Sequence, residues 1–225
     1  GAVAATILLA MGASNGAMAD ALSPTTLPTG GQVVAGQVGI MSSGARMDVT
    51  QTTNSAIVNW DSFSIGTQAQ VNFAQPSSAS VILNRVLGGD ASSILGRMTS
   101  NGSIFLTNPA GILFASGAQV DVGGLVASSL GISDANFLAG SYQFDKTGVG
   151  GAVVNQGTIN ATGGGIVALI APQVSNAGTI VATNGSVGLA AGDSVHLDFD
   201  HDGLLTFQVN MSAAAARADN HGLII

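Results

Sequence analysis

The second half of the chain repeats itself with a period of about 21 residues, within the range of known stacked-repeat proteins. Asn155-Gln156-Gly157-Thr158-Ile159 recurs one period later as Asn176-Ala177-Gly178-Thr179-Ile180. Asn220-His221-Gly222-Leu223-Ile224 is a third copy, roughly two periods further on. Asn101-Gly102-Ser103-Ile104 resembles Asn184-Gly185-Ser186-Val187 at an offset close to four periods. A fixed period of this length is typical of similar units stacked along one axis.

Each unit has the pattern of short β-strands joined by tight turns. Apolar residues alternate with small or polar ones, and Asn-Gly, Asn-x-Gly and Gly-Gly separate the strands. One unit cannot bury its apolar side alone, so stacking into a parallel β-helix is the predicted solution. At ~4.8 Å per rung, roughly nine coils would form a rod on the order of 45 Å long. A leucine-rich repeat has a similar period, but its Leu-x-x-Leu-x-Leu spacing is absent from the sequence.

The composition agrees with a narrow β-helix and excludes several functions. Hydrophobic residues make up 46% of the chain, but only 4% are aromatic, as a narrow lumen requires. The net charge of −7 and five scattered basic residues exclude a nucleic-acid-binding surface. The absence of Cys excludes disulfides, thiolate metal sites and Cys nucleophiles. We expect no catalytic residues, no metal and no cofactor.

The amino terminus has the pattern of a signal peptide. Residues 2–13 form an uncharged apolar run, and Ala17-Met18-Ala19 matches an A-x-A cleavage site. Residues 1–19 are therefore predicted to be the carboxy-terminal part of a signal peptide, with a buried amino-terminal helix as the alternative. Residues 20–225 are predicted to form the exported β-helix domain. Because its last strand stops at Ile224-Ile225 without a polar cap, we expect further rungs to follow.

Residues 57–128 contain a series of distinctive motifs. In chain order they are Trp60-Asp61-Ser62-Phe63 with Ile65-Gly66, Asn72-Phe73 with Gln75-Pro76, Asn84-Arg85-Val86, Ser93-Ile94-Leu95-Gly96, Asn101-Gly102, Asn108-Pro109-Ala110-Gly111-Ile112, and Gly123-Gly124-Leu125-Val126-Ala127-Ser128. In order and spacing they resemble the two-partner secretion domain at the start of filamentous haemagglutinins, also called the haemagglutination activity domain. The similarity extends from about Gln32 to the end of the chain.

The resemblance implies a fold and a role. The implied fold is all-β, a right-handed parallel β-helix with a β-rich amino-terminal cap and small antiparallel hairpins outside the helix. The implied role is to be recognised, while unfolded in the periplasm, by the POTRA domains of an outer-membrane β-barrel transporter. The folded domain would then form the first rungs of a secreted or surface-bound adhesin and nucleate its folding. A host glycan or cell-surface receptor is the expected partner of the full-length protein.

Two motifs are candidates for transporter recognition. The first is Asn84, Arg85 and Val86, and the second is Asn108, Pro109, Ala110, Gly111 and Ile112. A purely structural turn is the alternative for the second motif, and both roles can hold together. The family motif usually has Asn at the position of Ala110. Because an Asn side chain can close a turn and Ala cannot, this departure puts the strength of the turn in doubt.

Other motifs favour structural interpretations. Asp198, Asp200 and Asp202 alternate before a Gly as at the start of a calcium loop, but Val209 occupies the place of the final Glu ligand. A tight turn between two strands is the main interpretation, with a weak calcium site as the alternative. Trp60 is predicted to pack at the amino-terminal cap, with sugar stacking as its alternative. The segment 211–217 is predicted to form one or two helical turns between rungs.

Two other functions compete with secretion. A β-helix polysaccharide-degrading enzyme would need clustered Asp with Lys or Arg on one sheet face. Here the basic residues are spread along the chain, and residues 155–195 contain a single Asp. A stand-alone carbohydrate-binding module is the second alternative, and glycan binding by the isolated domain would discriminate it.

Overall fold

The chain winds into a parallel β-helix of about six turns, in a computed structural model that describes residues 22–199, 205–210 and 215–225. Its elements are almost all strands. The strands are β1 (Gln32–Ala35), β2 (Val38–Ser43), β3 (Arg46–Gln51), β4 (Ser55–Trp60), β5 (Gln70–Ala74), β6 (Val81–Val86), β7 (Ser92–Ile94), β8 (Arg97–Ser100), β9 (Ser103–Thr107), β10 (Ile112–Phe114), β11 (Gln119–Val122), β12 (Gly124–Ser128), β13 (Tyr142–Asp145), β14 (Val153–Asn155), β15 (Thr158–Ala161), β16 (Ile166–Ala171), β17 (Gln173–Asn176), β18 (Thr179–Ala182), β19 (Ser186–Ala191), β20 (Ser194–Phe199), β21 (Leu205–Asn210), β22 (Arg217–Asn220) and β23 (Leu223–Ile224), and the helix is α1 (Asp134–Leu138).

Three long sheets form the walls of the coil. Sheet A has the order β1-β4-β6-β9-β12-β16-β19, sheet B the order β22-β17-β14-β10-β7, and sheet C the order β2-β3-β5-β8-β11-β15-β18-β23. Neighbouring strands are parallel except at the amino-terminal end, where β1 pairs antiparallel with β4 and β2 antiparallel with β3. The predicted β-helix and its β-rich amino-terminal cap are therefore confirmed.

Side chains that point into the coil form the main core. Because side chains alternate across a strand, every second residue of a strand can face the lumen. Trp60, Phe63 and Phe73 fill the first coils and are each no more than 1% exposed. Trp60 meets Phe63 edge-on with ring centroids 5.4 Å apart, and Phe63 stacks on Phe73 at 6.5 Å. Beyond Phe114, the hydrophobic side chains of the described lumen core are all aliphatic. The prediction that Trp60 packs near the amino-terminal cap is confirmed.

A second core lies outside the coil, on the outward face of sheet A. Ile57, Leu83, Phe105 and Val126 are no more than 1% exposed there. Two excursions from the coil cover them: one between β12 and β14 carries α1 and β13, and one between β19 and β22 carries β20 and β21. β13, β20 and β21 form a three-stranded antiparallel sheet, which we call the extra-helical sheet. The predicted hairpins outside the helix are therefore confirmed.

Aromatic contacts attach the first excursion to sheet A. The ring of Phe105 lies 5.2 Å from that of Phe137 in α1 and 4.9 Å from that of Tyr142 in β13. Burial raises the pKa of Tyr142, because the phenolate would lose its hydration in this layer. The phenol therefore stays neutral across the physiological range of pH, as its apolar surroundings require.

Buried asparagines align successive coils. Asn155 and Asn176 are fully buried at equivalent positions of β14 and β17, and Nδ2 of Asn155 donates to Oδ1 of Asn176 at 2.8 Å. Nδ2 of Asn176 donates in turn to Oδ1 of Asn220 in β22 at 2.7 Å. We call these three residues the asparagine ladder. Since a buried amide without a partner costs about 1–3 kcal/mol, the ladder favours this register.

The number of coils predicted from the repeat is wrong. Asn176 and Asn220 lie on neighbouring rungs and not two periods apart, because the second excursion lengthens the coil that separates them. The excursion between β12 and β14 likewise lengthens the stretch between Asn101 and Asn184, which are three rungs apart along sheet C instead of four. About six turns therefore replace the predicted nine.

Some predictions fall partly or wholly outside the described residues. Residues 1–21 are outside them, so the signal peptide stays a prediction. Of the predicted helical turns in 211–217, residues 211–214 are outside, and Arg217 begins strand β22. The helix that is described, α1, lies elsewhere and was not predicted. Within the part of the chain that the structure describes, no helix is long and apolar enough to span a membrane.

Gly188 allows the second excursion to dock. It lies in β19 opposite Ala168, and a Cβ added there would overlap the ring of Phe207 in β21. We expect Gly188→Ala to displace the β20–β21 hairpin and to lower the free energy of unfolding by about 1–3 kcal/mol, the usual cost of overpacking. Urea unfolding measures this loss, and increased binding of a hydrophobic dye would report exposure of the second core.

Gly39→Ala is the matched control, because Gly39 also lies in a strand and its added Cβ would meet nothing within 4 Å. It should unfold like the wild type. Equal destabilisation by the two variants would mean that the loss comes from replacing a glycine in a strand backbone. It would then not come from a clash with Phe207, and Phe207 would not be docked on Gly188.

Candidate functional site

The first candidate motif lies in the middle of sheet A. Asn84 and Val86 of β6 point into the lumen, where Asn84 is fully buried and Val86 is 2% exposed. Oδ1 of Asn84 accepts a hydrogen bond of 3.0 Å from Nε1 of Trp60. A buried indole N–H needs such an acceptor, so Asn84 allows Trp60 to fill the first coils. The sequence motif did not reveal that these two residues are partners.

Arg85 points outward and ties the coil to the first excursion. One of its terminal nitrogens donates to the carbonyl of Ile132 at 2.9 Å and to Oδ1 of Asp134 at 2.6 Å. The other terminal nitrogen donates to Oδ1 of Asn59 on the neighbouring strand at 3.2 Å. The Arg85 side chain is 20% exposed, so this charge-assisted network is partly shielded from water. Arg85 therefore anchors the segment before α1 to sheet A.

The second candidate motif is the turn between sheet A and sheet B. Asn108 is fully buried, and its Nδ2 donates to the carbonyl of Asp90 and to Oγ of Ser92, both at 2.9 Å. Its Oδ1 accepts from the backbone N–H of Ala110 at 2.9 Å, and the backbone N–H of Gly111 donates to the Asn108 carbonyl at 2.9 Å. This is an Asx-type turn that is hydrogen-bonded on both sides.

Gly111 and Ile112 lead the chain back into the coil. Gly111 has a φ of +112°, and a Cβ there would lie 2.8 Å from the carbonyl oxygen of Ala152 on the next coil. Ile112 follows in the lumen, 2% exposed, and its N–H donates to that same carbonyl at 3.0 Å. Both the conformation and the close approach require glycine at position 111.

The departure at Ala110 does not weaken the turn in the way that the sequence suggested. The side chain that closes the turn belongs to Asn108, the first residue of the motif, and Ala110 contributes only its backbone N–H. Ala110 is half-buried and Pro109 likewise. The doubt about this turn is therefore resolved in favour of a well-closed structure.

The structure brings the two motifs together at one cleft. Arg85 of the first motif and Pro109 of the second line a cleft of about 420 Å³ between sheet A and the first excursion. Asn136 of α1 and Asp145 of β13 form its opposite side. The Thr107 hydroxyl lies buried at this cleft without a hydrogen-bond partner among the described residues. The sequence analysis predicted none of the excursion residues that complete the cleft. Among them is Ser133, whose Oγ accepts a hydrogen bond of 3.1 Å from the backbone N–H of Asn136 and caps α1.

Most of the predicted calcium loop lies outside the residues that the structure describes. Asp198 is exposed near the end of β20, while Asp200 and Asp202 lie outside the described residues. The antiparallel pairing of β20 with β21 agrees with a connection between two strands. Among the described residues, no group of three or more His, Asp or Glu side chains could hold a metal ion.

Comparison with known proteins identifies a family that matches almost the whole described chain. The family model "TPS secretion domain" matches residues 22–224. The chain is 34% identical over 209 residues to a protein of Haemophilus influenzae named heme/hemopexin-binding protein, covering 90% of this chain and 23% of that protein. A second Haemophilus influenzae protein of that name is 39% identical over 101 residues, which is 45% of this chain and 11% of that protein. The chain therefore spans about a quarter or less of these relatives.

A solved structure supports the same relationship. The crystal structure of the HMW1 secretion domain from Haemophilus influenzae superposes with a TM-score of 0.80 at 31% sequence identity. The alignment covers 88% of this chain and 53% of that chain. The fold of this chain is therefore similar to that of a solved secretion domain over most of its length.

The turn chemistry gives a prediction that separates Asn108 from Ala110. Asn108→Ala removes three side-chain hydrogen bonds of a buried turn, and we expect it to lower the free energy of unfolding by about 1–3 kcal/mol. Ala110→Asn should change it by no more than about 0.5 kcal/mol, as for most partly exposed substitutions. Urea unfolding of both variants is the measurement. Marked stabilisation by Ala110→Asn would show that the turn is weak after all.

Proposed function

The chain belongs to the TPS secretion domain family, and we propose that it targets a large exported adhesin-type protein for secretion and nucleates its folding. Proteins that carry this domain are exported with the help of an outer-membrane transporter partner. We further propose that POTRA domains of a β-barrel transporter bind the chain in the periplasm. The route would begin with removal of residues 1–19 as a signal peptide and end at the cell surface or in the medium.

The burial of the motifs is the observation that carries this proposal. Asn84 and Asn108 are fully buried, and Val86 and Ile112 are 2% exposed. A transporter could read these side chains only in a chain that has not yet folded. Only Arg85, Pro109 and Ala110 remain partly exposed after folding. The same residues would then serve first as a signal and afterwards as structural anchors.

The distribution of large side chains supports nucleation at the amino-terminal end. Trp60, Phe63 and Phe73 bury the largest apolar surfaces of the lumen in its first coils, and the antiparallel strands β1 and β2 cover that end. A solenoid can begin to fold at one stable end and add one coil at a time. Each later coil can then pair its strands with those of the coil before it, and in β14, β17 and β22 the asparagine ladder adds side-chain hydrogen bonds.

The ion pairs argue against catalysis and against acidic partners. The TPS secretion domain is not a known enzyme family. Every basic side chain of the chain is paired locally with an Asp, in the pairs Arg46–Asp48, Arg85–Asp134, Arg97–Asp121, Lys146–Asp193 and Arg217–Asp219. No cationic cluster is therefore available in the described residues to bind an acidic polysaccharide or nucleic acid, and we propose that the domain has no catalytic function of its own.

The binding activity given in the names of the relatives cannot be assigned directly to this chain. Heme/hemopexin binding is said of proteins of which this chain matches 23% or less, and the HMW1 match concerns a secretion domain. Proteins with different names thus share this one domain. We propose that the shared domain supplies export, and that binding of a specific cargo or receptor belongs to the remainder of each protein.

The secretion proposal is tested by comparing a motif variant with an equally destabilised variant whose motifs are intact. In cells with the cognate transporter, Asn108→Ala should lower the exported amount about tenfold, the loss produced by removing about 1.4 kcal/mol of recognition energy. Gly188→Ala disturbs only the docking of the second excursion and should be exported like the wild type. Immunoblots of the medium and the cell surface give the amounts, and deletion of residues 20–130 should abolish export.

Equal losses for Asn108→Ala and Gly188→Ala would assign the effect to folding and remove the recognition role from this turn. Normal export after deletion of 20–130 would sink the whole proposal. Total cell levels of each variant must be matched, so that degradation before export is not mistaken for failed recognition.

Glycan recognition is a second candidate function, favoured by a polar cleft on sheet C. The cleft has a volume of about 310 Å³, and Gln70, Arg97 and Gln119 stand in register on its floor. Arg97 is held by Asp121 at 3.0 Å, while neither glutamine side chain is hydrogen-bonded to a described residue. Free amides beside a neutralised guanidinium suit sugar hydroxyls, and the net charge of −7 favours a neutral glycan over an acidic one.

A glycan array with the purified domain tests this candidate. Retention on neutral oligosaccharides should be lost in Gln70→Ala/Gln119→Ala and kept in Gln32→Ala/Gln156→Ala, whose glutamines are exposed elsewhere. Polygalacturonate should be neither bound nor degraded, because the basic residues are paired. Absence of binding to every glycan would end the glycan candidate and leave the secretion proposal unaffected.

A further inference from the structure

Strand β2 leaves an open edge at the amino-terminal end of sheet C. It pairs with β3 on one side, and the sheet has no strand beyond it in the described residues. The backbone N–H of Thr52 donates to the carbonyl of Gln37, which makes this a hydrogen-bonded pair of the ladder. Hydrogen-bonded and non-hydrogen-bonded pairs alternate along an antiparallel ladder. The backbone N–H and C=O groups of Gly39 and Met41 therefore also point toward β3. The N–H and C=O groups of Val38, Ile40 and Ser42 therefore point outward from the sheet.

This edge lacks the features that normally prevent strands from pairing with another molecule. Such features are charged side chains, proline, bulges and very short strands. β2 is six residues long, runs in unbroken register with β3 and contains no proline. No charged residue or histidine occurs anywhere in residues 21–45. The neighbouring edge strand β1, by contrast, is four residues long and has a register shift between Val33 and Ala35.

Three exposed apolar side chains lie at the same end, as Leu223, Ile224 and Ile225 do at the opposite end. Met41 is 77% exposed, Val33 is 43% exposed and Val34 is 46% exposed. Val38 and Ile40 are only partly buried where they pack on the end of the lumen core. An additional strand beside β2 would pack against Met41, Val38 and Ile40 of that strand and satisfy its outward backbone groups.

We propose that β2 pairs antiparallel with β2 of a second copy of this chain, forming a head-to-head dimer. An uncharged edge offers no complement to a strongly charged partner, whereas identical antiparallel strands match each other about a two-fold axis. The register that joins all the outward groups places Ile40 opposite its own counterpart and Val38 opposite Ser42. In that register Met41 lies over Gly39 of the second copy, and a Cβ at Gly39 has nothing within 4 Å. The glycine thus provides the space that the methionine side chain fills.

Sedimentation velocity across micromolar to millimolar concentrations tests the dimer, using the chain without residues 1–19. Two variants should raise the dissociation constant about tenfold or more, equivalent to about 1.4 kcal/mol. Ser42→Pro removes an outward N–H without breaking a bond to β3, and Met41→Lys places a charge on the edge. Ala74→Lys is the matched control, because Ala74 is exposed on the same sheet two strands from the edge. It should leave the dissociation constant unchanged.

Two results would overturn the proposal. One is a monomer throughout the concentration range. The other is a dimer that survives Ser42→Pro and Met41→Lys but is lost in Leu223→Lys/Ile225→Lys, because both of those residues are exposed at the opposite end of the coil. Circular dichroism and urea unfolding of Ser42→Pro must match the wild type, and Met41→Lys provides the second readout should the proline variant unfold.

Discussion

The pairing of each coil with the one before it is the interaction on which the rest of this protein depends. A residue in a strand points either into the lumen or away from it, so a shift of one residue would exchange the two faces of a whole strand. The asparagine ladder opposes such a shift at β14, β17 and β22, because its amides bond to one another only when they face inward together. The lumen core and the outward polar faces follow from that register.

On the outward face of sheet A, the coil alone does not bury the apolar side chains. Its apolar side chains need a cover, and the two excursions provide it from segments that are far apart in the chain. β13 of the first excursion pairs with β20 of the second, so the cover is complete only when both are in place. Arg85 holds the first excursion to sheet A through the carbonyl of Ile132 and the carboxylate of Asp134. This makes one residue of the first motif a link between the coil and its cover.

The sequence was informative where structure is local and uninformative where it depends on distant contacts. The alternation in residues 155–182 correctly predicted strands such as β15 and β18, which pair at an offset of one repeat period. The count of coils failed, because an excursion inserted between two rungs cannot be distinguished from an additional coil by offset alone. Helix α1 has only five residues, too few to produce a helical period. Arg85 and Pro109 line the same cleft only because of the tertiary structure, and no spacing in the sequence predicts it.

The burial of the motifs also bears on the direction of export. If a transporter binds Asn84 and Asn108 in the unfolded chain, folding removes both side chains from its reach, because they become fully buried. A coil that closes outside the cell would then be unable to rebind on the periplasmic side. Each later coil adds hydrogen bonds and buried apolar surface that oppose unfolding. Folding could therefore supply the bias that makes export one-way without a nucleotide, and the aromatic first coils of this domain are where that bias would begin.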